Sequence, residues 1–203
     1  MRLLALKLFD DNLLSTKIIS RAQEPYVYRI NFDKVSLPNS LYRASIFGIN
    51  GIVVCLVEVE GCDMNKRASM GDTPLGWAAG NGHGGVVKLL LGRHYIDPGE
   101  PGKAGQTPLL RAARNGHEGA VKMLLARGGV NPNEPNRYGQ TPLLLAACDG
   151  YEVVVRLLLG RGDINPDVPD SQGRTPLLWD TMNGHTGAIS LLPPPTSPTH
   201  NLA

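Results

Sequence analysis

Cysteine is scarce: Cys55, Cys62 and Cys148 are the only three in 203 residues. They are too few and too irregularly spaced for a disulfide framework or a four-ligand zinc site. They read as reduced thiols, which places the expected localisation inside the cell, in cytoplasm or nucleus. Long apolar runs are also missing. The longest, Ile46 to Val59, is broken by Gly48, Asn50, Gly51 and Glu58, whereas a membrane span needs about 20 apolar residues. The opening Met1 to Phe9 has leucines and a basic residue, but Lys7 and Asp10-Asp11 cut the run short, so neither a secretory signal nor a membrane segment is expected. Charge of one sign is lacking too: 20 Lys and Arg oppose 18 Asp and Glu, and from residue 37 onward the two signs are equal in number. That balance argues against a phosphate backbone as the main ligand, and no nucleic acid is expected.

Catalytic signatures are absent as well. No Gly-x-Ser-x-Gly elbow occurs, and no cysteine is paired with a histidine by any sequence pattern. Gly99-Glu100-Pro101-Gly102-Lys103-Ala104 looks briefly like a phosphate loop. Such a loop would need Gly at Asp97 and Ser or Thr at Ala104. No enzymatic activity, cofactor or metal is expected.

The sequence does carry a period. Thr73, Thr107, Thr141 and Thr175 recur at one constant interval, and each is followed by Pro-Leu. Three copies continue with an alanine pair (Ala78-Ala79, Ala112-Ala113, Ala146-Ala147), then Asn-Gly-His or a variant, then a run such as Val-Val-x-Leu-Leu-Leu. A fixed period of this length means a stack of supersecondary units in which each repeat buries only against its neighbours. Within a unit, the threonine hydroxyl can cap a helix and proline suits its first position, so helix A begins at Thr-Pro-Leu. Gly82, Gly116, Gly150 and Gly184 end helix A. The Val/Leu run makes helix B, for which Gly92, Gly128 and Gly160 or Gly162 are the expected left-handed caps. The paired alanines allow close helix approach.

These residues resemble the ankyrin repeat family, whose signature is Thr-Pro-Leu-His-x-Ala on a repeat of about 33 residues. The chain departs from that pattern in its longer period and in having Gly76, Leu110, Leu144 and Leu178 in the histidine slot. The resemblance implies an all-α, ankyrin-type helix–turn–helix solenoid of about four to five stacked repeats with hairpin-like connectors. The long Pro- and Asp-rich connectors (131–136, 163–170) are similar to those of fungal multidomain proteins, where such arrays follow an NTPase module.

Shifting the Thr73 repeat back by one period places Ala44 on Ala78, Gly48 on Gly82, Val53 on Val87 and Leu56 on Leu90. A degenerate first repeat is therefore expected. Its Asp63-Met64-Asn65 aligns with Asp163-Ile164-Asn165 two positions late. The last repeat is truncated, with Asp180-Thr181 in the alanine slots and Pro193-Pro194-Pro195 after Leu192. The expected organisation is a non-repeat segment over 1–36, serving as cap or linker, the array over 37–192, and a Pro-rich disordered tail over 193–203. Within 1–36 the spacing predicts a short helix around Leu6, Phe9 and Leu13, then an extended segment where Tyr26, Tyr28, Ile30 and Phe32 alternate with other residues.

His83, His117 and His185, with Tyr151 in the fourth slot, repeat once per unit. Neighbours in that column stand about 8–10 Å apart, too far to share a zinc ion, so hydrogen bonding to neighbouring turns is the expected role. The side chain before the alanine pair varies: Trp77, Arg111, Leu145 and Trp179. The resemblance implies that connector tips and one side of helix A form a concave groove, towards which this column points. Tryptophan and arginine dominate many interfaces. The candidate partner-binding residues are therefore Trp77, Arg111, Leu145, Trp179, Arg114, Arg137 and Tyr138, with Asn81, Asn115 and Asp149 beside them. Packing over neighbouring turns is the competing role for both tryptophans. Lys88, Lys122 and Arg156, with Arg93, Arg127 and Arg161, make a basic stripe on helix B that favours the helix macrodipole.

The expectation is a monomeric, non-catalytic protein–protein interaction module, a scaffold or adaptor that holds an unknown protein partner in its groove. The alternative is a regulatory protein, such as a transcriptional co-regulator or the sensing or autoinhibitory part of a larger NTPase-linked receptor.

Overall fold

A computed structural model of the chain describes residues 37–58, 63–67, 71–185, 187 and 190–192. The readings made for 1–36, the tail 193–203 and Cys62 lie outside these residues.

The described elements are all helices. They are α1 (Leu37–Phe47), α2 (Asn50–Val57), α3 (Pro74–Gly80), α4 (Gly84–Leu91), α5 (Pro108–Arg114), α6 (Glu118–Ala126), α7 (Pro142–Cys148), α8 (Glu152–Leu159) and α9 (Pro176–Asn183), with a short 3-10 turn at Lys103–Gly105. Each pair packs as an antiparallel hairpin: α1 on α2, α3 on α4, α5 on α6 and α7 on α8. The first helices of successive pairs stack in one layer, α1 to α3 to α5 to α7 to α9, and the second helices in another, α2 to α4 to α6 to α8. This two-layer stack is a helical solenoid.

Each complete Thr-Pro-Leu copy starts its helix as its residue types dictate. Thr73, Thr107, Thr141 and Thr175 have extended backbones, and their hydroxyl oxygens accept from the N–H of Gly76, Leu110, Leu144 and Leu178 at 3.0–3.3 Å. Proline follows at the first helical position, where its missing N–H costs nothing. A cap of this kind contributes about 1 kcal/mol.

Between the layers, all three alanine pairs are fully buried, as are Val53, Val87, Val121 and Val155, and with them Leu56, Leu90, Leu124 and Leu158. Removing a leucine of this kind from water contributes roughly 1.5–3 kcal/mol. The one-period shift thus places Ala44, Val53 and Leu56 of the degenerate repeat in the same core, with Leu41.

At the end of helix A, Gly48, Gly82, Gly116, Gly150 and Gly184 have φ between +67 and +73°. Four of them also leave room for a ring from the next repeat. A Cβ on Gly82 would meet His117 Nδ1 at 2.6 Å, and one on Gly48, Gly116 or Gly150 would meet His83, Tyr151 or His185 as closely. The histidines use the opposite nitrogen as expected, with Nε2–H donating to Ile46 O (2.7 Å), Gly80 O (3.0 Å) and Cys148 O (3.1 Å) one repeat back.

The end of helix B differs from the expectation. Gly92 and Gly160 are right-handed, at φ −67 and −65°, and neither Gly128 nor Gly162 has a positive φ. The helices tighten into a final turn instead, with Arg93 N donating to Leu90 O and Arg161 N to Leu158 O, both at 3.0 Å. These bonds satisfy terminal carbonyls without a left-handed residue. In the third repeat the chain leaves α6 through extended Arg127, and the left-handed residue is Gly129, at φ +88°.

The connector register also differs. Asp63, Asp97, Asn131 and Asn165 each accept at their side-chain oxygen from the backbone N–H two residues on, at 2.9–3.1 Å. Asp63 therefore holds the place of Asn165, in phase, and is not a displaced Asp163. The side-chain turn fixes the match, because it needs an Asp or Asn and the following amide rather than a particular tripeptide.

Candidate partner-binding face

The connectors end in tight tips next to helix A. Each closes with a backbone bond across four residues: Gly102 N to Gln106 O, Asn136 N to Gln140 O and Asp170 N to Arg174 O, at 2.9–3.0 Å. Adjacent tips are joined by Arg137 N donating to Ala104 O (3.0 Å) and Ser171 N to Tyr138 O (2.9 Å). In two tips a buried side chain braces the loop from within. Asn136 Oδ1 accepts from the N–H of Tyr138 and Gln140, and Asp170 Oδ1 from that of Gln172 and Arg174. The third tip has Gly102 at that place, and the acceptor comes from the preceding repeat: Asp72 Oδ1 takes the Lys103 N–H at 2.9 Å.

Further from the tips, the helix-A column takes part in two clusters that each join a carboxylate, an arginine and a tryptophan. In the first, Arg111 Nη2 lies 2.5 Å from Asp72 Oδ1, and its guanidinium carbon stands 4.9 Å from the centre of the Trp77 ring. Tyr42 meets Trp77 edge-on, with ring centres 6.1 Å apart. Burial, then the Asp72 charge, pushes the Tyr42 hydroxyl above its usual pKa. In the second cluster, Arg174 stacks 3.9 Å from the Trp179 ring, and both residues bind Asp170 Oδ2, the Trp179 indole N–H at 2.9 Å and Arg174 Nε at 3.0 Å. Burial on its own would raise the Asp170 carboxyl. The backbone N–H of Arg174, the Trp179 indole, the Arg174 guanidinium and the Gln172 N–H outweigh it and hold the pKa at about 2.

Of the sequence candidates, Trp77, Arg111 and Trp179 are thus half-buried members of these clusters, and Leu145 between them is 4% exposed. Arg114, Arg137 and Tyr138 are exposed, Tyr138 at 58%. Asn115 is engaged across the repeat junction, its Nδ2 donating to Gly80 O at 2.6 Å, and Asn183 does the same to Cys148 O at 2.7 Å. Asn81 turns back to its own Trp77 O, and Asp149 is exposed. Two cations of the helix-B stripe have local compensation: Arg156 pairs with Glu152 at 2.5 Å, and Arg161 grips both oxygens of Asp163 while donating to Leu125 O.

Sequence reasoning missed Asp72, Asp170, Arg174 and Lys103. Asp170 and Asn136 were legible as alternatives for one bracing slot, a single period apart. Asp72 was not, since its periodic equivalents are Gln106, Gln140 and Arg174.

Among the described residues no helix is long and apolar enough to cross a membrane. No curated protein matches the chain. A family model described as ankyrin repeats (3 copies) matches residues 41–136 and 128–199. Ankyrin repeats generally mediate protein–protein interactions and are typically non-catalytic. The match covers well over half of the sequence, and with the two-layer helical stack it means that this chain belongs to the ankyrin repeat family.

Proposed function

We propose that the chain is a non-catalytic interaction module, a scaffold or adaptor that holds a protein partner on the face formed by the connector tips and helix A. One observation carries this reading: Arg137 and Tyr138 stand exposed on a tip braced by buried Asn136, with exposed Arg114 on α5. Arginine and aromatic side chains on a framework already rigid lose little freedom on binding. Trp77, Arg111, Leu145 and Trp179 form the floor behind them. In this reading residues 1–36 serve as cap or linker, 37–192 form the array, 193–203 are a Pro-rich tail, and the module acts as a monomer inside the cell.

The test is crosslinked affinity capture from native lysate, comparing wild type with Arg114→Ala/Arg137→Ala/Tyr138→Ala. These exposed positions leave both tryptophan clusters intact, so folding should be preserved. A partner held by wild type and lost by the variant supports the face. Equal capture by both would sink it.

A regulatory role, as a sensing or autoinhibitory part of a larger protein, is the second reading. It is favoured by the outer side of α9, where Leu178 is 44% and Met182 62% exposed, while the periodic equivalents of Leu178, Leu110 and Leu144, are fully buried under the next repeat. A domain held there would be released by Leu178→Asp and retained by the Arg114/Arg137/Tyr138 variant.

A further inference from the structure

We infer that this face takes an extended acidic segment of its partner, with carboxylates about three residues apart. This rests on the partner-binding reading above and adds the chemistry of the ligand. Lys103 and Arg137 occupy the same place on successive tips, one period apart, and the tips are held together by the Arg137 N to Ala104 O bond. Arg114 adds a third cation on the last turn of α5. All three are exposed, and none makes an ion pair among the described residues.

The acids at the base of the face do not compensate them. Asp72 and Asp170 are buried and already paired, with Arg111 and Arg174. Asp149 is the exposed acid nearby in the helix-A column. Elsewhere three acids pair with local cations, Glu100 with Arg67, Glu152 with Arg156 and Asp163 with Arg161, while the connector acids Asp97 and Glu134 accept from the Gly99 N–H and the Asn131 amide. On helix B, Lys122 follows Glu118 by four residues. Lys103, Arg114 and Arg137 thus stand exposed on the tip side with no ion pair among the described residues.

Spacing sets the pattern of the ligand. Stacked helices stand about 8–10 Å apart, and an extended chain advances about 3.3 Å per residue, so successive tip cations face every third residue. Tyr138, beside Arg137, offers a ring to the intervening side chain. The even charge over the array works against a nucleic acid, whose binding draws on many phosphates at once.

The experiment is fluorescence anisotropy of the full chain with a short labelled peptide carrying Glu at every third position and Ser and Gly between. A peptide of the same composition with its Glu residues clustered is the control. Binding should weaken with added salt and fall about tenfold or more in Lys103→Glu/Arg137→Glu. It should be unchanged in Lys88→Glu/Lys122→Glu, which reverses equal charge on helix B, and it should be weaker for the clustered peptide. No binding by wild type, equal loss in both variants, equal affinity for both peptides, or capture of a single-stranded oligonucleotide in place of the peptide would each overturn the inference. If the peptide fails while a cellular partner is still lost from Arg114→Ala/Arg137→Ala/Tyr138→Ala, the acidic chemistry falls and the face stands. If that partner is unaffected, the face itself falls.

Discussion

Arg111 reaches back one repeat to Asp72, its Nη2 2.5 Å from the carboxylate, while its guanidinium covers the Trp77 ring. The pair exists because Gly102 leaves the space empty: a Cβ there would fall inside contact distance of the Asp72 oxygen. One glycine, one acid and one arginine from two repeats thus join the Gly102–Gln106 tip to the second repeat.

Removing Arg111 should strand a carboxylate that is 4% exposed. Arg111→Ala is expected to cost roughly 3 kcal/mol, the scale for breaking a buried pair. Asp72→Ala should cost less, since the Arg111 side chain is 19% exposed and can turn to water. The double variant should be less destabilised than the sum of the singles. Urea unfolding of all four proteins checks this, and simple additivity would mean that the two groups do not interact.

Asp170 gives the array an acid-sensitive site. Its folded pKa of about 2 lies below the usual carboxylate value, so its stabilisation is present above about pH 4 and is lost as pH falls towards 2. The size is about 2 kcal/mol, and the residue is buried, so solvent screens it little. Asp170→Asn should lower stability at neutral pH and flatten the profile between pH 4 and 2. An unchanged profile by circular dichroism would contradict the assignment.

Gly82 and Gly184 separate backbone strain from steric contact. Both are left-handed, at φ +71 and +73°, but a Cβ on Gly82 meets the His117 ring, while one on Gly184 meets nothing within 4 Å among the described residues. Gly184→Ala should cost about 1 kcal/mol through backbone strain. Gly82→Ala should cost more, by roughly 1–3 kcal/mol of overpacking. Equal losses in thermal unfolding would show that the ring moves aside freely.

Asp180 stands in an alanine slot, fully buried, and among the described residues neither of its oxygens has a hydrogen-bond partner. Burial pushes its carboxyl pKa up, opposed by the nearby His185 charge. A raised acid pKa means that folding favours the protonated form, so stability declines as pH rises through the unfolded value towards the folded one. Asp180→Ala restores the alanine of the other repeats and should stabilise the chain at neutral pH by roughly 1–3 kcal/mol, the cost of an unsatisfied buried group. A neutral-pH melting temperature that fails to rise would show that the carboxylate is accommodated.

Much of the fold was legible because it is written in short-range terms. A threonine three residues before an N–H, a proline at the first helical position and a glycine at positive φ act within one turn, so each recurs visibly once per period. The histidine column was legible for the same reason, since each ring meets the same carbonyl one period away. The helix-B glycines misled because glycine permits a left-handed cap without requiring one. Tightened turns satisfied those carbonyls first.

The sequence by itself determined the period, the helix starts, the glycine-ended first helices and the alanine seam. Only the tertiary structure decided which polar groups face outward. Asp72 and Arg111 lie 39 residues apart, and Asp170 is clasped by Arg174 and Trp179, so three candidate interface side chains are partly used within the fold, while Lys103, Arg114 and Arg137 are left towards solvent. The physical reason is that a periodic backbone fixes where a side chain stands. The pairing of its charge depends on what neighbouring repeats place opposite it, and there the repeats differ.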